Sequence, residues 1–232
     1  MTIERRTFGD RDALAEALAQ TVAERLSSGI AERGTASLAV SGGSTPAKFF
    51  TVLSHHVEVT WEKVVVTLVD ERWVHDFSDR SNARLVKGAL LRGPAIEAKF
   101  VPLYSGGDEP DASLIARTNA ALAAVPQPFD AVILGMGNDG HTASFFPGGD
   151  TLKDALEGAG PALAIRAPGA GEPRVTLSLS RLLQTRGLYL HIEGEEKSKV
   201  LDKALADGPV EDMPIRAVLR QAQVPVTVFW SP

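Results

Sequence analysis

Between Phe129 and Pro147 the chain reads FDAVILGMGNDGHTASFFP, an apolar run that passes straight into glycines. Phe129 and then Ala131 to Leu134 have the character of a strand buried on both faces. Gly135, Gly137 and Gly140 follow at once, with Asn138, Asp139, His141 and Thr142 among them. Glycines let a backbone approach a ligand closely, and polar side chains gathered at a strand's end need a reason. A tight turn with solvated polar residues is the plain alternative. A ligand loop at the carboxyl edge of a parallel sheet is the functional one, because open α/β folds place their sites there.

The stretch also fits G-x-G-x-x-G, the dinucleotide fingerprint. That fingerprint needs a helix start free of negative charge, since a pyrophosphate rests on its amides. Asp139 lies where those phosphates would sit, and Pro147 follows Gly140 by only seven residues. The strand expected next, Ala162 to Ala167, has Arg166 near its end and no carboxylate for a ribose hydroxyl. A nicotinamide cofactor is therefore a minor alternative.

The rest of the chain alternates strands with helices. Asp10 predicts an N-cap for a helix from Arg11 to Ser27, with Leu14, Ala17, Leu18, Val22 and Leu26 on one face and Gly29 and Gly34 bracketing its end. Ser37 to Val40 predicts a short buried strand. Ser41-Gly42-Gly43-Ser44-Thr45 follows, and Pro46 suits the first turn of a helix through Phe49, Phe50 and Leu53. Free amides, hydroxyls and a positive helix end converge there, which is the design of a phosphate cradle. No Walker motif is present. Val64 to Val69 predicts a strand running into Asp70-Glu71-Arg72-Trp73, whose acids are either solvated caps or site residues. Ser81 caps a helix through Leu91, Phe100 to Leu103 is a short strand, and a helix follows Asp111. Thr151 to Glu157, the segment from Gly194 and Pro214 to Arg220 are read as helices. Arg174 to Ser178, Gly187 to Ile192 and Val226 to Trp230 are read as strands. A largely parallel sheet wrapped by helices is the economical α/β architecture, and residues 1–232 read as one domain.

Composition limits the function classes. The 232 residues carry 24 Lys and Arg against 29 Asp and Glu, a net charge of −5, which argues against general affinity for nucleic acid or anionic membrane. Cysteine is absent, so no thiolate nucleophile or Cys-ligated metal exists. The start of the chain lacks an apolar signal core, and no run of 18 apolar residues occurs, so a cytoplasmic protein is expected.

The ordered segments SGGSTP, VDERWV, SNARLV, FDAVILGMGNDGHTASFFPG, PRVTLS and GEEKSKVL resemble the 6-phosphogluconolactonase family, from about Ser41 to Lys199. The wider group includes glucosamine-6-phosphate deaminases, and the resemblance implies a modified Rossmann-type sheet. The deaminase pattern places a Glu immediately before the proline of the DGH loop; here that position is Phe146, which cannot shuttle protons. The resemblance therefore implies hydrolysis of 6-phospho-D-glucono-1,5-lactone to 6-phospho-D-gluconate, in the oxidative pentose phosphate pathway, with no cofactor and no metal. A sugar-phosphate sensor is the alternative from another class. It would need a DNA-binding segment, and this acidic chain shows no basic helix-turn-helix.

Roles follow for individual residues. His141 is the candidate base for water, since imidazole titrates near neutral pH. Asp139 is expected to orient either that ring or a sugar hydroxyl, and Asp70 to contact substrate hydroxyls or the attacking water. Ser41, Gly42, Gly43, Ser44 and Thr45 are expected to hold the phosphate, with Arg72, Arg174 and Lys197 as the cations that the matching motifs imply. Asn82 is a candidate for substrate or loop contacts. His55 and His56 are expected at the surface, His75 is a rim candidate, and His191 has no setting that suggests a role. Trp73 and Phe145 are read as packing. The expected partner is a small sugar phosphate lactone, and the expected assembly is a monomer or weak homodimer.

Overall fold

In the computed structural model, which describes residues 3–232, the chain opens with strand β1 (Ile3–Thr7) and helix α1 (Arg11–Arg33). β2 (Ala36–Val40), α2 (Ala47–Ser54), β3 (Val64–Leu68), β4 (Asp70–Arg72) and α3 (Asn82–Ala89) follow. Next come β5 (Lys99–Val101), α4 (Ala112–Leu122), β6 (Ala131–Leu134), α5 (Leu152–Glu157), β7 (Ala162–Ile165) and β8 (Arg174–Leu177). The last elements are α6 (Leu179–Leu182), β9 (Leu188–Glu193), α7 (Glu195–Leu205), α8 (Ile215–Arg220) and β10 (Val226–Ser231).

Seven strands form one sheet in the order β1-β10-β9-β6-β2-β3-β5, and every pair in it is parallel. β2, β3 and β6 are buried at every position, as strands covered by helices on both faces must be. From β2 the chain builds outward through β3 to β5, then returns to the other side of β2 with β6, β9 and β10. The order therefore reverses between β2 and β6. In open parallel sheets such a reversal leaves a crevice at the carboxyl ends of the two strands.

Three expectations need correcting. β1 was not foreseen, because Glu4, Arg5 and Arg6 hide it. It is an edge strand paired only with β10, where charge is tolerated and discourages further pairing. A second, three-stranded sheet in the order β4-β8-β7 is antiparallel. Asp70–Arg72 and the segment near Ala162 belong to it and not to the parallel sheet. Finally, α1 does not stop at Ser27; it runs to Arg33, with Gly34 as its left-handed cap at φ 77°.

Gly29 consequently lies inside α1 and serves close packing. A Cβ there would overlap the carboxylate of Asp130. Asp130 is buried, accepts from the Ser37 amide at 2.9 Å and pairs with Arg33. Gly29→Ala gains about 1 kcal/mol of helix propensity but forces a methyl into this contact, where overpacking costs about 1–3 kcal/mol. We expect a net loss of stability in equilibrium urea unfolding. A stabilised variant would show that α1 can move off Asp130 freely.

Candidate active site

At the sheet's reversal, two loops meet. The first leaves β2, and its Ser41 amide donates to the Ile133 carbonyl of β6 at 3.0 Å. Gly43 turns at φ 92°, and Pro46 then starts α2. Gly42 lies so close to the Asn82 side chain that any Cβ would overlap it. Asn82 is the first residue of α3; its Nδ2 donates to the Asp70 carbonyl at 2.9 Å, and its Oδ1 is buried without a partner.

Glu71, left open between cap and site residue, is a buried cap of another element. Its carboxylate accepts from the amides of Asn82 at 2.8 Å and Ala83 at 2.7 Å, the Ser81 hydroxyl at 3.1 Å and the Arg72 amide at 2.8 Å. A carboxylate at a helix start meets both free amides and the positive end of the dipole. Burial pushes its pKa up, against the pull of the Asn82, Ala83 and Arg72 amides. The contact fixes Asn82, and through it the wall against Gly42.

Beside it, Asp70 is buried, with Oδ2 accepting from the Ser144 hydroxyl at 2.6 Å and lying 3.8 Å from the Arg174 guanidinium. Arg72 and Arg174 face each other across the β4–β8 ladder. Arg174 donates to the Ala170 carbonyl at 2.8 Å, lies over the Phe146 ring and keeps a buried Nε without partner. Its pKa is drawn below the usual range by burial, with Asp70 opposing. Arg72 donates to the Arg80 carbonyl at 2.5 Å, and its Nε is likewise unpaired.

The second loop leaves β6 and curls on its glycines: the Gly137 amide donates to the His141 carbonyl at 2.8 Å, and Gly140 adopts φ 80°. The curl brings Asp139 Oδ1 to 2.6 Å from His141 Nδ1 and 3.1 Å from the His141 amide. A carboxylate only accepts, so in the neutral ring the proton sits on Nδ1 and Nε2 keeps its lone pair. Burial raises the Asp139 pKa, but the hydrogen bonds and charge of His141 outweigh it and hold the carboxyl below its ordinary value. Phe146 stacks on the imidazole with centroids 4.2 Å apart. Lys197, in the first turn of α7, is pulled below the usual ammonium range by burial, with Glu196 and Asp139 opposing.

These groups surround a cavity of about 240 Å³. Its wall contains Ser41, Gly42, Gly43, Ser44, Thr45, Asp70, Arg72, Asn82, His141, Arg174 and Lys197. Asp139 stands behind His141 and is not part of the wall. His55 is exposed and His56 half-buried. His75 is exposed, stacks on Phe77 at 4.0 Å and does not line the cavity, so it is not a rim residue. His191 does line it, contrary to expectation. Its signal was a His and a Glu two residues apart in an otherwise apolar strand, which puts both on one face. Phe146, noted in the sequence only as a residue that cannot shuttle protons, touches both His141 and Arg174.

A Rossmann-like sheet with an anion-ready loop and a carboxylate-oriented imidazole at its reversal defines a class of α/β proteins that act on small phosphorylated ligands. The family model described as glucosamine-6-phosphate isomerases/6-phosphogluconolactonase matches residues 9–230, and the chain belongs to that family. It is 51% identical to the 6-phosphogluconolactonase of Rhizobium meliloti (strain 1021) over 100% of both chains. Identity to the 6-phosphogluconolactonase of Mesorhizobium japonicum is 54%, covering 97% of this chain and 94% of that one. The crystal structure of a 6-phosphogluconolactonase from Shewanella baltica OS155 superposes with TM-score 0.97 at 43% identity, over 100% of this chain and 98% of the other.

Replacing Glu71 by Gln puts an NH₂ where amides need an acceptor. Leaving one buried donor unsatisfied costs about 1–3 kcal/mol. Glu71→Gln should lower the unfolding midpoint accordingly, and an unchanged midpoint would mean that α3 does not depend on this carboxylate.

Proposed function

We propose that this chain hydrolyses 6-phospho-D-glucono-1,5-lactone to 6-phospho-D-gluconate, with His141 as the base for water. The observation that carries the assignment of His141 is the Asp139–His141 contact of 2.6 Å at the wall of a cavity that also holds Arg72, Arg174 and Lys197. Its close relatives carry the name of that lactonase.

His141 Nε2 takes a proton from water as the oxygen attacks the lactone carbonyl carbon. Asp139 holds the ring and stabilises the imidazolium that forms. The tetrahedral adduct collapses by breaking the bond to the ring oxygen, and the imidazolium returns its proton to that leaving oxygen. The new carboxylic acid then ionises, so each turnover releases one proton to solvent. The phosphate lies on the Ser41–Thr45 loop, countered by Lys197 and the arginines. Asp70, bonded to Ser144 and facing Arg174, contacts substrate hydroxyls or the water. Asn82 supports the loop at Gly42. A deaminase reading finds no support at Phe146, an apolar ring on the imidazole. On this proposal the chain works as one domain in the cytoplasm, as a monomer or weak homodimer.

Proton release after mixing with fresh lactone, above the spontaneous rate, tests the activity itself. His141→Ala should lower kcat by roughly 10²–10⁴-fold while product binding persists in calorimetry; unchanged turnover would remove His141 from this role. Lys197→Ala should raise KM by roughly tenfold to a hundredfold, the usual worth of a hydrogen bond to a charged group, with kcat little altered. A KM equal to that of the parent would detach Lys197 from the phosphate.

A further inference from the structure

His191 sits on β9 with only 3% of its surface exposed, yet it lines the cavity. Its Nε2 is 3.0 Å from Glu193 Oε1, and Glu193 Oε2 is 3.2 Å from Arg11 Nε at the start of α1. Its Nδ1 is buried and has no hydrogen-bond partner among the described residues. The ring meets Phe49 edge-on, with centroids 6.1 Å apart. Phe49 belongs to the first turn of α2, the helix into which the Ser41–Thr45 loop runs. A purely structural histidine has its second nitrogen satisfied; this one keeps it unpartnered in a residue that lines the cavity.

We propose that His191 is a further phosphate-binding residue, and that its ring takes up a proton when a phosphate monoester enters the Ser41–Thr45 loop. The inference rests on the phosphorylated ligand proposed above. Its chemistry follows from Glu193. A carboxylate only accepts, so Nε2 carries the hydrogen and the neutral ring presents a bare lone pair at Nδ1. A phosphate dianion repels that lone pair and attracts an N–H. The imidazolium donates at both nitrogens, one to Glu193 and one to phosphate, so ligand binding and protonation are linked.

The charged groups around the ring fit this linkage. Glu193 on its own strand favours the proton, and Arg11 from α1 offsets part of that carboxylate's charge. Lys197 from α7 shares the cavity wall and opposes a second cation until an anion arrives. Lys48 of α2 is engaged by Asp12, while β10 places the apolar Phe229 opposite His191.

Calorimetry of 6-phosphogluconate binding to the full chain, above neutral pH and in buffers of different ionisation enthalpy, reads the proton directly. The parent protein should take up about one proton per ligand bound. His191→Asn places an amide nitrogen near the Nδ1 position, and His191→Gln places one near Nε2 and abandons Nδ1. Both should abolish the uptake. The Gln variant should lose roughly tenfold or more in affinity, and the Asn variant less. No uptake by the parent, or equal affinity in the parent and the Gln variant, overturns the proposal. Inorganic phosphate, used as a second probe in the same titrations, keeps the result independent of the lactone. A parent that takes up a proton with phosphate but opens no lactone would sink the reaction and leave His191 standing.

Discussion

The pairing of β2 with β6 is the constraint on which the site depends. Neither strand follows the other in sequence, and their register, Leu38 with Ala131 to Val40 with Ile133, ends both at one level. The Ser41 amide extends that ladder by one bond to Ile133. The two glycine loops consequently leave the sheet side by side, one presenting amides and hydroxyls, the other an imidazole. A slip of one residue would exchange the two buried faces of β2 and carry the Ser41 loop out of line with the loop from β6. Core burial and site geometry are thus enforced by the same hydrogen bonds.

The second sheet supplies what the parallel one cannot. Parallel strands deliver backbone and loops to the crevice, but buried charge needs partners held at fixed distance. β4 and β8 provide them: on a short antiparallel ladder Asp70 lies near Arg174, while Arg72 and Arg174, opposite each other, each donate to a carbonyl. The unpaired Nε atoms of both arginines leave this cluster only partly satisfied among the described residues. Buried donors with capacity to spare, beside a cavity, are suited to an anion that brings its own acceptors. The depressed ammonium of Lys197 belongs to the same pattern, since a dianion restores what burial takes away.

How much of this was legible in the sequence depends on whether the signal was local. The buried strands and the caps at Asp10, Ser81 and Asp111 were readable, because apolar runs and side-chain-to-amide bonds act over a few residues. β1 was hidden, since an edge strand bearing Glu4, Arg5 and Arg6 loses the apolar pattern while keeping its ladder with β10. β4 has three residues, too few to show a period, and all three are charged; Asp70 meets Ser144 and Arg174 only through the fold. Gly29 was misread for a related reason: its neighbour Asp130 is distant in sequence, so a glycine required by packing looked like one ending a helix. His191 shows no role in the sequence because its pairing with Glu193 emerges only once both lie on one face of β9.

The glycine spacing of the central loop shows how one pattern can serve two chemistries. In a dinucleotide site, such glycines clear space for pyrophosphate at a helix start. Here no helix begins until Leu152, and the space beside Gly137 is filled by the protein's own His141 ring. A Cβ at Gly137 would overlap that ring, and one at Gly140 would press on Met213 at 2.8 Å. The glycines therefore fold the loop back on itself until Asp139 reaches the nitrogen two residues ahead. Asp139, which counts against a pyrophosphate, becomes the group that sets the tautomer. What the loop binds first is its own imidazole, and the free Nε2 lone pair follows from that intramolecular contact.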